Sequence, residues 1–239
     1  MKTVRDTTGR FRMRPHYEPG EFDRECERLV VDFLRYRYGE AKFPISTDDL
    51  TALIEKDADD LDHYADLSEY GPAVEGVTIF QPGGKPTVKI AAALSEGNRE
   101  NRRRTTLTHE FGHVKFHSYL FDPAIHSLDL FGDPVEERTS DRVQVCKRDT
   151  MLDAGASDWM EWQAGYVCGA ILMPASVLRH VIKEKFAQEV AAGLAIIGLV
   201  AAAMIEEVQG RFQVSAEAAR VRLLRLEVIR DAVNKPALF

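Results

Sequence analysis

Residues His109, Glu110 and His113 form a His-Glu-x-x-His pattern, the part of this chain whose residue types and spacing most clearly suit chemistry. Each residue of an α-helix advances by about 100°, so the two histidines lie about 40° apart on one face, one turn along. Two neutral imidazoles placed in this way can bind one Zn²⁺, with Glu110 beside the ion. Glu110 can then take a proton from a water activated by the metal and pass it to a leaving amine. The pattern predicts metal-assisted hydrolysis of a peptide bond.

The residues around the motif favour a helix. Leu107, Phe111 and Val114 fall on one arc of the predicted helix, and the histidines fall on the adjacent arc. An amphipathic helix that merely carries histidines is the alternative. His117 extends the polar arc, but it lies eight residues beyond His109, about 12 Å along an unbroken helix at 1.5 Å per residue. We therefore predict that His117 ends the helix or holds a metal ligand in place, and does not bind the metal itself.

A second apolar segment, residues 158–174, can supply a third metal ligand. It contains no helix-breaking proline before Pro174, and one predicted helix face combines Glu161 with small residues. These small residues are Ala164, Gly165 and Cys168. They allow another helix to approach, so the Glu161 carboxylate can reach a metal held there. Two histidines and one glutamate leave a fourth position open, as catalytic zinc sites do. The alternative is a surface glutamate above a packing stripe.

Three motifs in this order resemble the ImmA/IrrE family of metallopeptidases. In that family, a basic Arg-x-Arg-Phe-Thr-Leu-Ala stretch leads into the His-Glu-x-x-His helix. A later Glu-x-Glu-Ala-Asn segment runs into Leu-Leu-Met-Pro. The matching stretches here are Arg102-Arg-Arg104-Thr-Thr-Leu107-Thr-His109-Glu-Phe-Gly-His113, Glu161-Trp-Gln-Ala164-Gly165 and Ala170-Ile-Leu172-Met173-Pro174. Weaker similarity extends the resemblance over residues 43–229.

The resemblance implies a zinc ion with Glu161 as the third ligand beside His109 and His113. It also implies that the substrate is a regulatory protein, a helix-turn-helix transcriptional repressor on a separate chain, whose cleavage switches on stress or mobile-element genes. Two residues depart from the family pattern. Gln163 stands where the family often has a second Glu, and Gly165 where it usually has Asn. If those family residues orient the ligands, their loss weakens metal affinity or activity, and Gln163 is the candidate to take over such a contact.

A non-catalytic regulator is the rival interpretation from another functional class. Such a protein, similar in role to an antitoxin, would keep the metal to stabilise its fold. It would act by binding a partner protein or DNA through residues 177–239. The departures at Gln163 and Gly165 favour this interpretation. Cleavage of a helix-turn-helix repressor by the purified protein would distinguish the two.

The composition indicates a soluble protein, which we expect in the cytoplasm. The chain has 239 residues, of which 45% are hydrophobic, enough to bury one sizeable core and a smaller helical lobe. Its net charge of −7 argues against general affinity for nucleic acid or an anionic membrane. The cysteines, Cys26, Cys146 and Cys168, are odd in number and no signal peptide is evident, as expected in a reducing compartment. Cys146 is predicted to be a free residue in a loop, although its thiolate could reach the metal.

The candidate metal ligands His109, His113 and Glu161 require a fold that brings their two helices together. We predict a mostly helical α+β fold, with a zincin-like metalloprotease core, a small β-sheet and a helical, helix-turn-helix-like C-terminal lobe. Residues 1–20 are predicted as a mobile tail, residues 21–176 as the metalloprotease domain and residues 177–239 as the C-terminal lobe. Helices are predicted over residues 21–38 and from a cap at Ser46 or Thr47 to Ile54.

Two alternating segments, residues 75–80 and 86–92, flank Gly83-Gly84 and predict a β-hairpin. An exposed strand of this hairpin could bind a substrate by accepting its backbone as an additional strand. The alternative is a sheet that only closes the core. The 43 residues between His117 and Glu161 form a longer insert than such a compact fold needs.

Residues 99–104 carry four arginines and are predicted as a solvated loop before the catalytic helix. In the alternative, Arg102 or Arg104 pairs with an acidic group and holds the start of that helix. Peptide hydrolysis also needs a donor for the oxyanion that forms on the substrate. The candidates are Tyr166, His126 and an arginine of residues 102–104.

Residues 190–205 contain no charge at sixteen consecutive positions. A membrane span needs about 20 apolar residues, so we predict no membrane segment. We predict instead a buried helix or a self-association surface that forms a homodimer. Ser215 is predicted to cap a last helix. The arginines of that region either contact DNA or form a solvated face, and they are Arg220, Arg222, Arg225 and Arg230.

Overall fold

The fold is mostly helical, with a small mixed β-sheet, which confirms the predicted α+β class. The computed structural model describes residues 1–123, 142–147, 151, 158–191 and 197–230. The helices are α1 (Pro19–Tyr38), α2 (Thr47–Asp57), α3 (Glu100–His117), α4 (Trp159–Leu172), α5 (Ala175–Lys185), α6 (Ala187–Ala191), α7 (Gly198–Phe212) and α8 (Ala216–Arg225). The strands are β1 (Lys2–Arg5), β2 (Met13–His16), β3 (Asp60–Ala65), β4 (Val74–Ile79), β5 (Thr87–Ala91) and β6 (Val143–Lys147).

The larger sheet, as far as the described residues form it, has the strand order β3-β5-β4-β6. β3 and β5 are parallel, whereas β4 pairs antiparallel with β5 on one side and with β6 on the other. The β4–β5 pair confirms the predicted hairpin, whose connection includes Gly83 at a φ of 67°. β6 comes from the long insert between α3 and α4. This insert therefore returns to the sheet, where β6 contacts α3.

Polar side chains at their first turns explain where several helices begin. Ser46 Oγ accepts a hydrogen bond from Asp49 N at 3.1 Å, and Ser215 Oγ accepts one from Ala218 N at 3.1 Å. Both residues are helix caps, as the sequence predicts. Asp158 Oδ1 accepts from Glu161 N at 3.3 Å and caps α4. This cap places Glu161 in the first turn of α4.

Helices α3 and α4 pack against each other at the centre of the molecule. Both are buried along most of their length, and α3 also contacts α2 and strands β4, β5 and β6. Gly112 of α3 lies so close to α4 that an added Cβ would be 2.9 Å from Ala164 Cα. A glycine facing an alanine therefore lets the two backbones approach. Glu161 lies one turn before Ala164, so this approach brings its carboxylate to α3.

Residues 1–20 do not form the predicted mobile tail. β1 and β2 pair as an antiparallel hairpin, with Lys2 opposite His16. Phe11, between them, is buried and packs its ring edge-on against Phe121 and Trp159, with centroids 5.4 and 6.1 Å away. This segment with few apolar residues thus packs against the rest of the molecule through Phe11 and through Tyr17, whose ring stacks on Phe22.

Three of the four arginines of residues 99–104, Arg102, Arg103 and Arg104, lie in helix α3 and not in the predicted solvated loop, whereas Arg99 is exposed just before the first helical residue, Glu100. Arg102 forms an ion pair with Glu75 of β4, which agrees with the alternative prediction that an arginine here pairs with an acidic group. Arg104 is buried and forms no ion pair with any acidic group among the described residues. It donates instead to three backbone carbonyls, those of Ile45, Phe212 and Gln213. A fully buried guanidinium thus connects α3 to the end of α7.

Residues 190–205 do not form one continuous buried helix. α6 ends at Ala191, and α7 begins at Gly198, whose φ of 67° interrupts the helical path. Ala201 and Met204 are buried, but Leu199 is 90% exposed and Ile197 is 49% exposed. Only part of the apolar segment is therefore covered by the chain itself. The homodimer through this segment stays a prediction.

Two of the four C-terminal arginines, Arg222 and Arg225, differ from the prediction, whereas Arg230 is exposed and Arg220 forms a partly exposed ion pair with Glu217. Arg222 is buried, donates its Nε to the Met173 carbonyl at 3.0 Å and pairs with Asp23 of α1 at 2.7 Å. Arg225 donates to the Gly165 carbonyl at 2.9 Å. Neither side chain is placed to contact DNA or to form a solvated face.

One core extends across the predicted boundary at residue 176. A single hydrophobic cluster contains side chains from Phe22 to Ile229, so the predicted catalytic domain and C-terminal lobe share their interior. Among the described residues, no single helix has the length and apolar character to cross a membrane. α4 and α5 meet that criterion only as a pair, bent by 54°.

Candidate metal centre

Three side chains from α3 and α4 converge in the protein interior. The Nε2 atoms of His109 and His113 lie 3.2 Å apart. Glu161 places Oε2 3.0 Å from the His109 nitrogen and Oε1 3.1 Å from the His113 nitrogen. Both histidines are fully buried, and Glu161 is 5% exposed. The structure thus brings the three predicted ligands into one group that can hold a metal ion.

A chain of hydrogen bonds determines which nitrogen of His113 faces this group. Gln163 donates its Nε2 to the Pro15 carbonyl at 3.0 Å, and its Oε1 accepts from His117 Nε2 at 3.0 Å. A neutral His117 then has an unprotonated Nδ1, which accepts from His113 Nδ1 at 3.0 Å. Burial lowers the pKa of His117 well below its usual value, which favours its neutral form. As a metal ligand, which has to be neutral, His113 would then carry its free lone pair on Nε2.

The charges of the group fit a bound cation. Burial alone would raise the pKa of Glu161, but the imidazoles of His113 and His109 hold it well below its usual range. Glu161 is therefore a carboxylate, and its Oε1 lies 3.1 Å from His113 Nε2, so that either a proton on this nitrogen or a bound cation has to separate the two atoms. Two electron-rich atoms at this distance repel each other unless a positive charge lies between them. The donor set, two imidazoles and one carboxylate, suits a divalent metal such as zinc.

Glu110 lies beside the three ligands, with one oxygen anchored and one free. Its Oε2 accepts a hydrogen bond from Thr78 Oγ1 of β4 at 2.5 Å. Its Oε1 is buried and accepts no hydrogen bond from any described residue. Burial raises the pKa of Glu110 above the usual carboxyl value, against the lowering effect of the neighbouring histidines. Such a carboxylate is suited to take a proton from a molecule bound in the site.

The sequence did not predict several contacts of the site, because the residues that make them come from distant segments of the chain. Gln144 of β6 donates to Glu161 Oε1 at 2.7 Å, and Arg10, between β1 and β2, donates in turn to Gln144 Oε1. Gly76 of β4 faces Glu110 so closely that a Cβ there would overlap its carboxylate. A single glycine among the β-branched residues of a strand indicates a close approach, and this was the one available signal.

Cys146 lies in strand β6 and not in the predicted loop, and it is fully buried. Its Sγ, a ring nitrogen of His109 and a carboxylate oxygen of Glu110 lie within 4.8 Å of one another. Burial, followed by the negative charges of Glu110 and Glu161, raises the pKa of this thiol well above its usual value. Without a metal, the thiol therefore keeps its proton. Of the three predicted ligands, only His109 shares a group with this sulfur.

The candidates for oxyanion stabilisation are engaged elsewhere. The Tyr166 hydroxyl donates to Asp23 at 3.1 Å, Arg102 pairs with Glu75, and Arg104 bonds backbone carbonyls. His126 lies outside the described residues. Tyr166, Arg102 and Arg104 therefore direct these donors away from the metal centre, Arg103 contacts His63, and the oxyanion donor stays unassigned.

Compared with protein-family models and with curated proteins, the chain matches none of them. The similarity to the ImmA/IrrE metallopeptidases therefore rests on the motifs in residues 102–113 and 161–174. Both motifs contribute side chains to the group of His109, His113 and Glu161. The three residues that the motifs predict as ligands are thus the ones that the structure brings together.

Proposed function

We propose that the protein is a zinc-dependent endopeptidase in which His109, His113 and Glu161 bind the metal. One observation carries the proposal: three buried ligand atoms converge next to Glu110, whose Oε1 has no hydrogen-bond partner among the described residues. Structural zinc sites fill all four positions with protein ligands, whereas catalytic sites use three and keep one for water or substrate. The converging ligands, His109, His113 and Glu161, number three, as in a catalytic site.

Glu110 performs the proton transfers in this proposal. When bound, zinc supplies Lewis-acid activation of the substrate carbonyl and of a water molecule. Glu110 Oε1 takes a proton from that water while Thr78 holds Oε2, and Glu110 then gives the proton to the nitrogen of the leaving amine. His117 and Gln144 orient the ligands that they contact, so the site is arranged before substrate binds.

The type of core, the family and the substrate of the protein are part of the same proposal. We infer a zincin-like core, because strand β4 lies directly against the motif helix α3. The motifs support membership of the ImmA/IrrE family and, with it, a helix-turn-helix repressor as the protein substrate in the cytoplasm. Direct DNA binding receives less support, because Arg222 and Arg225 point into the protein.

A non-catalytic regulator stabilised by a metal is the second candidate function. The proximity of Cys146 to His109 and Glu110 favours it, because a fourth protein ligand would produce a closed, structural type of site. The two functions differ in one measurable property. An endopeptidase hydrolyses peptide bonds, whereas the regulator binds the metal without doing so.

We expect the purified protein to bind about one zinc ion per chain, as one set of three ligands requires. His113→Ala and Glu161→Ala should each strongly lower zinc occupancy, measured by elemental mass spectrometry after equilibration in a zinc buffer. His180→Ala, on an exposed residue of α5, is the matched control and should keep full occupancy. Full occupancy in Glu161→Ala would remove Glu161 from the site.

Zinc-loaded protein should cut internal bonds of a proteome-derived peptide library, with the products identified by mass spectrometry. A chelator should abolish the cuts and added zinc should restore them, because catalysis depends on the metal. A purified helix-turn-helix repressor serves as the protein substrate in a parallel assay. A zinc-loaded, folded protein that yields no cuts in either assay would favour the regulator.

A further inference from the structure

The N-terminal hairpin, formed by residues 2–16, lies outside the part of the chain that resembles the ImmA/IrrE metallopeptidases. It nevertheless reaches the metal centre at two points. The Pro15 carbonyl of β2 accepts a hydrogen bond from Gln163 of α4. Arg10, in the connection between β1 and β2, donates one to Gln144 of β6. These contacts begin two separate hydrogen-bond chains, which end on different predicted metal ligands.

The first chain runs from Pro15 to His113. Gln163 donates its Nε2 to the Pro15 carbonyl at 3.0 Å, and its Oε1 lies 3.0 Å from Nε2 of His117. Nδ1 of His117 in turn lies 3.0 Å from Nδ1 of His113. Pro15, Gln163 and His117 are all buried, so bulk water does not compete for these bonds. The position of the hairpin therefore influences the orientation of the His113 ring.

The second chain runs from Arg10 to Glu161. Arg10 donates its Nη1 to Gln144 Oε1, and Gln144 donates its Nε2 to Glu161 Oε1 at 2.7 Å. A side-chain amide has one accepting end and one donating end, so the bond from Arg10 fixes which end of Gln144 faces the carboxylate. Without Arg10, the amide could turn its oxygen toward Glu161, and the two oxygens would repel each other. Arg10 therefore keeps a donor directed at this ligand.

The connection between β1 and β2 has a defined shape that presents Arg10. The Asp6 carboxylate accepts hydrogen bonds from the backbone nitrogens of Thr8 and Phe11, both at 3.0 Å, and from the Thr8 hydroxyl. The buried Phe11 ring packs edge-on against Trp159, the first residue of α4, with ring centroids 6.1 Å apart. Because the connection is already ordered, Arg10 loses little conformational freedom when it forms its bond.

We infer that the N-terminal hairpin holds two of the metal ligands in place, with Arg10 and Gln163 as its positioning residues. This inference rests on the proposed metal centre, and it concerns metal affinity and not the hydrolytic step. One chain orients His113 of α3 and the other orients Glu161 of α4, so the hairpin links ligands from both helices. Contacts that orient metal ligands in this way change metal affinity by about 10–100-fold.

The first chain needs an amide at position 163. Gln163 donates through Nε2 and accepts through Oε1, so it can bond Pro15 and His117 at the same time. A carboxylate has the same shape but no donor, and it would place a negative oxygen against the Pro15 carbonyl. The residue that departs from the family pattern is therefore the one that the hairpin requires.

Zinc affinity of the full-length protein, measured by competition with a chromophoric chelator, tests the first chain. Gln163→Glu should weaken zinc binding by about 10–100-fold. A negative charge near a cation would by itself tighten binding, so the expected direction is specific to the lost donor. Gln209→Glu makes the same change at an exposed position of α7 and should keep the affinity of the wild type.

The second chain is tested by Arg10→Met, which keeps an apolar stem of similar length and removes the donor. It should weaken zinc binding within the same range, whereas Arg5→Met, at an exposed position of the same hairpin, should not. The chain from Arg10 to Glu161 passes through Gln144. Adding Arg10→Met to Gln144→Ala should therefore weaken binding no further than Gln144→Ala does.

The cobalt(II) forms distinguish positioning from a general loss of stability. Visible absorption bands of cobalt report the geometry of its ligands, so Gln163→Glu and Arg10→Met should both shift these bands. Thermal unfolding of the metal-free proteins shows which variants are folded. Arg10 is only partly buried, so Arg10→Met tests the inference even if Gln163→Glu does not fold.

Wild-type affinity and an unshifted cobalt spectrum in a folded Gln163→Glu or Arg10→Met protein would overturn the inference and leave the metal centre intact. A further loss of affinity when Arg10→Met is added to Gln144→Ala would overturn the second chain. A wild-type protein that binds no zinc would overturn the metal centre and this inference together.

Discussion

Replacing Glu110 with glutamine is expected to lower the rate of peptide hydrolysis by about 10²–10⁴-fold, the usual contribution of a general acid–base group. Glutamine has nearly the same shape, and its amide oxygen can still accept the hydrogen bond from Thr78. It cannot take a proton from water. Initial rates on the peptide library measure the effect, while zinc content and thermal unfolding should stay close to those of the parent protein.

The comparison uses the wild-type protein as the parent, with both proteins loaded with zinc. Glu96→Gln removes the same charge from an exposed position outside the site, so its rate should equal that of the parent. If Glu110→Gln hydrolyses peptides as fast as its parent, another group is the base. If it loses zinc instead, Glu110 is a metal ligand.

Gly112→Ala is expected to separate α3 from α4 and to weaken zinc binding. The new Cβ would lie 2.9 Å from the Cα of Ala164 and 3.3 Å from its carbonyl oxygen, and backbone atoms cannot rotate away. Overpacking of this kind costs about 1–3 kcal/mol of unfolding free energy. Glu161 is one turn from this contact, so zinc occupancy should fall as well. Denaturant unfolding and elemental analysis measure the two effects.

Gly210→Ala is the matched control because this glycine also lies within a helix, α7, but an added Cβ meets nothing within 4 Å. Alanine favours the helix over glycine by roughly 1 kcal/mol, so this variant should be more stable and bind zinc normally. The same substitution thus has opposite expected signs at the two positions. A stabilised Gly112→Ala with full zinc occupancy would show that the close contact between α3 and α4 is not required.

Short-range features of the site could be predicted because they depend on helical periodicity. His109 and His113 are one turn apart in any α-helix, and this spacing already directs both rings to one point. Glu161 could be proposed because small residues follow it on its helix face, and Ala164 does lie in the close contact with Gly112. The β4–β5 hairpin and the caps at Ser46 and Ser215 depend on local patterns in the same way.

Long-range contacts could not be predicted, because the partners are far apart along the chain. Arg104 resembles a residue of a solvated basic cluster until its acceptors, carbonyls near residues 45 and 212, are known. Arg222 resembles a surface arginine until Asp23 of α1 is seen beside it. Burial of a charged side chain depends on which donors and acceptors other segments bring to it. Residue type alone does not contain that information.

The chemical groups of the site follow from local sequence: two imidazoles and a carboxylate share one helix face, and a second carboxylate lies on a helix able to approach it. The surroundings of these groups depend on the folded chain. The fold placed Gln163 and His117 behind His113, Gln144 behind Glu161, and Cys146 next to Glu110. The physical reason is that ligand spacing within a helix follows from backbone geometry, whereas strand pairing joins segments whose separation along the chain carries no periodic signal.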